Sequence, residues 1–146
     1  MVDGPSQSEE KGPSPILYWS FNDGTGTTSQ DTSQNNNDAT LTNGPTWRTQ
    51  DLCVVDKCLK FDGSNDRAGK TYSSDTELDP GTASFTISLW ERHPFAVSGT
   101  DTILSRADGL NGVGYKIYMN SSGNICFGID DTAGSFPSDS ACSTAT

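Results

Sequence analysis

Apolar residues along this chain recur mostly at every second position, in short runs broken by Gly, Asn and Asp. In Ile16 to Phe21, Leu17, Trp19 and Phe21 fall on one side and Tyr18 and Ser20 on the other. That is the alternation of a strand with one face in a core. Ser84 to Arg92 repeats it, with Phe85, Ile87 and Leu89 opposite Thr86, Ser88 and Trp90. Two shorter predicted strands, Ala39 to Thr42 and Thr46 to Arg48, flank Asn43-Gly44-Pro45. There Asn-Gly favours a tight turn and Pro45 ends ladder pairing. Within Lys57 to Phe61, Leu59 and Phe61 share a face, and Arg67 to Tyr72 is placed to pair with that strand across the Gly63 to Asp66 turn. Thr102 to Arg106, Val113 to Met119 and Asn124 to Asp130 follow, separated by Asp108-Gly109, Asn111-Gly112 and Ser122-Gly123. Many short strands punctuated by turn residues, with no stretch of helical period, predict an all-β fold, an antiparallel two-sheet sandwich or jelly roll. Asn22 to Asp38 reads as a long polar loop. Met1 to Pro15 has nothing to bury and reads as a flexible linker or cloning remnant outside the fold.

Composition qualifies this picture. The 146 residues fit one domain. Leu, Ile, Val and Phe number only 25, and with a net charge of -10 that proportion is the one usually associated with disorder. Three Trp, four Tyr and the strand periodicity weigh more, since large aromatic side chains bury area that the aliphatic fraction does not count. The conflict points to a modest core that needs disulfides or a metal ion. The acidity comes from 15 Asp against four Glu, and Asp belongs in turns. Nine scattered Lys and Arg cannot form a phosphate-binding surface, which excludes nucleic acid as a partner. No apolar run reaches the length of a membrane span, and Met1 to Pro15 lacks the apolar middle of a signal peptide. A secreted protein would therefore carry its signal outside this chain. Cys53, Cys58, Cys126 and Cys142 allow three pairings. Cys53 with Cys58 would close a short loop just before a strand, and Cys126 with Cys142 could staple neighbouring strands. Irregular spacing and the distance in sequence to His93 disfavour zinc. Two bridges in an Asp-rich chain fit an oxidising compartment.

Three signals occur in order. They are Ile-Leu-Tyr-Trp-Ser-Phe-Asn-Asp-Gly-Thr-Gly from Ile16, running on to Asn43; Phe61-Asp62-Gly63-Ser64-Asn65-Asp66; and Ser84 to Trp90. In that order they resemble the laminin G-like branch of the concanavalin A-like lectin and glucanase superfamily, over roughly Ile16 to Ile129. The resemblance implies an extracellular β-sandwich that binds sugars or proteins, often with calcium, in which residues 16–146 form a partial laminin G-like domain. Members of the family usually continue past the position of Phe127 to Asp130 with a Trp-His-His-like strand and further strands. No tryptophan follows Trp90, so the chain is expected to be a fragment of a longer reading frame, the alternative being a shortened variant that leaves a sheet edge open. Arg67-Ala68-Gly69-Lys70 and Glu91-Arg92-His93 also depart from the family's usual residues.

Catalysis finds no support in the residues. Glucanases of the superfamily carry Glu-x-Asp-x-x-Glu on one strand, because the glycosidic bond needs an acid on one side and a base or nucleophile on the other. Glu9, Glu10, Glu77 and Glu91 show no such spacing, and Asp130 and Asp131 would face opposite ways on a strand. With one imidazole and no Gly-x-Ser-x-Gly, a hydrolase triad is unsupported too. Calcium suits the chain better. Asp31, Ser33, Asn35, Asn37 and Asp38 supply the alternating oxygen donors that the ion takes. The resemblance places a second candidate loop at Asp108 and Asn111. At both, the competing account is that Asp and Asn in turns bond their own backbone. A sugar site needs an exposed aromatic ring beside polar groups, and Tyr72, Tyr115 and Trp47 are the candidates. Trp19 and Trp90 are assigned to the core or its margin, and Asn120-Ser121-Ser122 matches a glycosylation sequon. The expected function is a non-catalytic extracellular carbohydrate-binding or adhesion module of a larger protein, its partner a carbohydrate or an extracellular protein. The alternatives are a calcium-stabilised structural or protein-interaction spacer, and an accessory domain of a glycoside hydrolase whose catalytic part lies outside this chain.

Overall fold

A computed structural model describes residues 14–71, 78–93, 99–107, 114–130 and 139–144. Among these the chain is all-β, with nine short strands in three antiparallel sheets and a single 3-10 turn, Gln50–Leu52. It divides into two units between Leu78 and Asp79. No helix of the described residues is long and apolar enough to cross a membrane.

The first unit holds β1 (Thr28–Ser29), β2 (Ala39–Thr42), β3 (Thr46–Arg48), β4 (Cys58–Lys60) and β5 (Arg67–Gly69). β2 is the centre of the sheet β1-β2-β5, with Leu41 opposite Ala68. Ala39 and Leu41 are buried while Thr40 between them is exposed, the period-two pattern the sequence carries. β3 and β4 pair separately, Trp47 opposite Leu59. Asn43 and Gly44 both take positive φ, 65° and 100°, and Pro45 follows, so the chain leaves one sheet for another instead of closing a hairpin.

Two expectations fail in this unit. Arg67–Gly69 does not pair with the Lys57 to Phe61 strand; it adds to β2. Asp62 to Asp66 curls on itself, with the Asp62 amide donating to Asp66 Oδ2 at 3.0 Å and the Ser64 amide to Asp62 Oδ1 at 2.8 Å. Asn43 Nδ2 donates to the Asn65 carbonyl at 2.7 Å, which anchors that loop beside the end of β2. Ile16 to Phe21, for its part, forms no strand beyond one bridge between Trp19 and Asp31. Side chains take up its backbone: the Ile16 carbonyl accepts from Asn35 Nδ2 at 2.8 Å and Ser33 Oγ at 3.1 Å, and the Tyr18 amide donates to Asp31 Oδ1 at 2.8 Å. Phe21, at φ 55°, then ends the extended run. The alternation in burial survives, since Leu17, Trp19 and Phe21 are half-buried and Tyr18 is exposed.

The second unit is a four-stranded meander, β6 (Asp101–Ala107), β7 (Gly114–Met119), β8 (Ile125–Asp130) and β9 (Asp139–Cys142). Ile117 lies opposite Phe127 and Tyr115 opposite Ile129, so the apolar residues of β7 and β8 share one face. Lys116, Tyr118, Cys126 and Cys142 take the other. β9 has no apolar alternation and was implied only by the expected Cys126–Cys142 staple between neighbouring strands; that bridge joins it to β8 at directly opposed positions. Cys53–Cys58 is the other bridge, and no described cysteine is free.

Ser84 to Arg92 also corrects the sequence reading, because no ladder forms there. Side chains seat the segment: the Phe85 ring lies 5.1 Å from that of Tyr115 and 6.2 Å from that of Phe127. At its end His93 contacts Glu91 Oε1 at 3.1 Å and Asp101 Oδ2 at 3.0 Å, which ties it to the start of β6.

Candidate functional site

The acidic loop of the first unit is organised by Asp31, which is only 7% exposed. Its Oδ1 accepts from the amides of Tyr18 (2.8 Å) and Ser33 (2.9 Å), and its Oδ2 from Ser33 Oγ (2.7 Å) and the Asn37 amide (2.8 Å). Four donors therefore use the four acceptor positions a carboxylate offers. Burial pushes the Asp31 carboxyl up, but the Ser33 hydroxyl and the amides of Tyr18, Ser33 and Asn37 outweigh it and hold the pKa at about 2. The loop closes further around this group. The Asp31 amide donates to Asp38 Oδ1 at 2.8 Å, Trp19 Nε1 donates to the Asn37 carbonyl at 2.7 Å, and Lys70 Nζ bonds Asn37 Oδ1. Asn36, at φ 55°, supplies the reversal that brings Asn37 inward.

The expected calcium donors Asp31, Asn35 and Asp38 thus lie together, but the carboxylates of Asp31 and Asp38 face N–H and O–H groups of their own chain. Asn35 donates its Nδ2 to the Ile16 carbonyl, and Asp31 has no lone-pair direction left for a cation. This arrangement does not fit a calcium ion at Asp31. Among the described residues no group of three or more His, Cys, Asp or Glu gathers that could hold a metal ion. Asp108 and Asn111 lie outside the described residues.

Beside this loop opens a polar depression of about 450 Å³, lined by Asp23, Gln30 and Asp38 and by the Thr25 to Thr28 stretch. Asp23 shapes it: its Oδ2 accepts from Ser29 Oγ at 2.8 Å and its Oδ1 from the Gln30 amide at 3.3 Å. Gly24 and Gly26 turn through positive φ, 77° and 84°, and at Gly24 a Cβ would collide with the Lys57 side chain at 2.7 Å. Trp47, one of the expected aromatic residues, is half-buried and donates its indole N–H to the Gly26 carbonyl at 3.0 Å. It braces the rim of the depression. Asp23, Thr25 and Gln30 were not singled out from the sequence; Asp-Gly-Thr-Gly-Thr-Thr reads as ordinary turn chemistry, and only the fold shows that it lines a concave surface.

Of the other aromatic candidates, Tyr72 lies outside the described residues. Tyr115 is half-buried, with its ring against Phe85, and burial raises its pKa, offset by the nearby Arg106 cation and reinforced by Asp79. Tyr115 therefore serves the packing of the second unit. Trp90, assigned to the core from sequence, is 82% exposed, because Phe85, Ile87 and Leu89 turn the opposite way along the same segment. At the sequon, Asn120 Oδ1 accepts from the amides of Ser122 and Asn124, each at 3.0 Å. Its Nδ2 lies 3.6 Å from Cys126 Sγ and caps the β7–β8 turn. The atom a glycan would occupy is turned toward the disulfide.

No family model and no curated protein sequence matches this chain. Among solved structures its fold is similar to an S-layer domain-containing protein (residues 221–444) from Clostridium thermocellum, with a TM-score of 0.68 and 19% identity over 89% of this chain. The chain spans 57% of the length of that one. At this identity the likeness is one of fold.

Proposed function

We propose that this chain is a non-catalytic recognition module of an extracellular or cell-surface protein, organised as a laminin G-like, concanavalin A-like jelly roll, and that the polar depression of the first unit takes a carbohydrate. The observation that carries this reading is the lining itself. Two carboxylates, Gln30 and the Thr25 to Thr28 stretch line one concave surface, and Trp47 holds the Gly26 carbonyl of that stretch. Hydroxyl-rich ligands need such converging acceptors and donors beside an aromatic edge. Asp23 and Asp38 already hold groups of their own chain, a role in positioning and not in proton transfer. Two disulfides and the fold likeness to an S-layer domain-containing protein support the extracellular setting. The hydrogen bonds around Asp31 take over the part that calcium was expected to play in holding the loop.

A glycan array spanning plant, microbial and animal sugars tests the proposal. The expected result is a selective signal that Gln30→Ala and Thr25→Val each weaken by about 2- to 10-fold, the range for one lost hydrogen bond. Silence across the array overturns the carbohydrate reading. A second reading, a protein-interaction module, rests on the loop closed by Cys53–Cys58, where Val54 and Val55 are each 67% exposed, with Leu52 just before it 51% exposed.

A further inference from the structure

Ser84 to His93 lies on the sheet of the second unit without joining it. Asp79, shortly before the segment, pairs with Arg106 near the end of β6 at 3.4 Å, and His93 contacts Asp101 at the start of β6. Between these anchors the Phe85 ring rests on Tyr115 and Phe127. Phe85, Thr86 and Ile87 line, with Ile117, Ile125 and Phe127, an apolar depression of about 540 Å³. Among the described residues no backbone hydrogen bond fastens Ser84 to His93 to a strand, so side chains hold the segment down. We propose that it is a strap latched at one end by the protonated imidazole of His93, and that deprotonation frees that end and uncovers the apolar face beneath.

The ring's surroundings carry the proposal. His93 Nδ1 lies 3.1 Å from Glu91 Oε1, and Nε2 lies 3.0 Å from Asp101 Oδ2. Each ring nitrogen therefore faces a carboxylate oxygen, which accepts and cannot donate when ionised. Only the imidazolium has a donor on both nitrogens; a neutral ring, in either tautomer, turns one lone pair on a carboxylate. Glu91 on the strap and Asp101 on β6 are the charged groups that contact the ring, and among the described residues no Lys or Arg bonds it.

Exposure decides which contact yields. The Asp101 side chain is 50% exposed and Glu91 26%, and Glu91 is held two residues away on the same segment. A neutral ring keeps its one proton toward Glu91 and releases Asp101 to water, which cuts the tie between strap and β6. The other end is indifferent to this change, because Arg106 stays charged throughout the range. The latch is closed while the imidazole is charged and is lost as pH rises through the interval in which histidine discharges, between about pH 5 and 8.

His93 is the chain's one histidine, so ring-nitrogen NMR of the full, disulfide-intact chain follows it without ambiguity. Loss of the second ring proton should coincide with loss of the Phe85–Phe127 ring contact in the same spectra. Binding of a neutral apolar dye should rise about 2- to 5-fold across the same interval, the range for an ion pair with a half-exposed member. His93→Gln should take up the dye at the higher level and His93→Lys at the lower level, each without a step between about pH 5 and 8 and with the amides of β6 to β8 protected as in the native chain. Deprotonation of the native ring that leaves both the Phe85 contact and dye binding unchanged overturns the proposal, and this measurement needs no variant. A dye-binding step that persists in His93→Gln overturns it as well.

Discussion

Asp31 shows how one residue can be legible in kind and misleading in role. The sequence announces an oxygen-rich loop, and the carboxylates, hydroxyls and amides are where expected. Whether those oxygens face a cation or N–H donors depends on the Asn37 amide, which the turn at Asn36 brings inward, and on the Tyr18 amide, which arrives only once Ile16 to Phe21 lies along the loop. The consequence is measurable as acid sensitivity. The pKa of Asp31 falls from 3.8 to about 2 on folding, so its contribution is fully present above pH ~5 and is lost progressively as pH falls through about 2. A shift of this size corresponds to about 2 kcal/mol, a large share of a marginal domain's stability. Urea unfolding at a series of pH values should show that loss between pH ~5 and ~2, and Asp31→Asn should remove the dependence. At neutral pH the same substitution should cost about 2 kcal/mol, because an amide N–H₂ then meets at least one backbone donor. Calcium at about 1 mM, the range of extracellular modules, should leave amide exchange at Tyr18, Ser33 and Asn37 unchanged. Slower exchange on adding calcium would show that the ion displaces these donors. Trp90 repeats the lesson: the alternation places it opposite Phe85, Ile87 and Leu89, and it stays exposed although the core or its margin was expected for it.

Elements with a regular pattern and an available partner were readable, and those lacking either were not. β2, β3, β4 and the strands β6 to β8 fall where alternation and turn residues place them. Ile16 to Phe21 and Ser84 to Arg92 have the pattern without the ladder. Period two specifies which side chains turn inward, whereas a strand also needs a neighbouring edge to receive its backbone hydrogen bonds. β1 and β9 have the ladder without the pattern, since Thr-Ser and Asp-Ser-Ala-Cys show no apolar alternation. All four residues of β9 are exposed, so its own burial contributes little, and the disulfide to Cys126 supplies the restraint. Closing a loop of 16 residues is worth about 3 kcal/mol in the chain-entropy account. Replacing Cys126 and Cys142 together by Ser should therefore raise hydrogen exchange across β9 while the β6–β7 amides keep their protection. Equal loss in all four strands would mean that β9 is integral to the sheet and not an appended edge.

Taken as a whole molecule, the chain has a composition close to that of disordered proteins, and its described residues offset that by cross-linking more than by buried apolar area. Among the described residues the buried apolar side chains are few, Ala39, Leu41, Met119 and Cys126, and one of the four is half of a disulfide. In the first unit the interior is in good part polar, with Ser29, Asp31 and Asn37 buried and bonded to their own chain. Buried hydrogen bonds return only about 1 kcal/mol each in net terms, and the aliphatic fraction is small, so the bridges carry a disproportionate share. Two results follow. The native chain should be lighter than the reduced one by four hydrogens and take up no thiol-alkylating reagent before reduction. On reduction, the thermal midpoint should fall by more than about 10 °C or the cooperative transition should vanish, since losing native bridges from small secreted domains typically costs 2 to 5 kcal/mol or so and a midpoint moves by roughly 2 to 8 °C per kcal/mol. A reduced chain that still melts cooperatively at the same temperature would place the stability in packing that the buried residues do not reveal, and the link between sparse core, disulfides and an oxidising compartment would be lost.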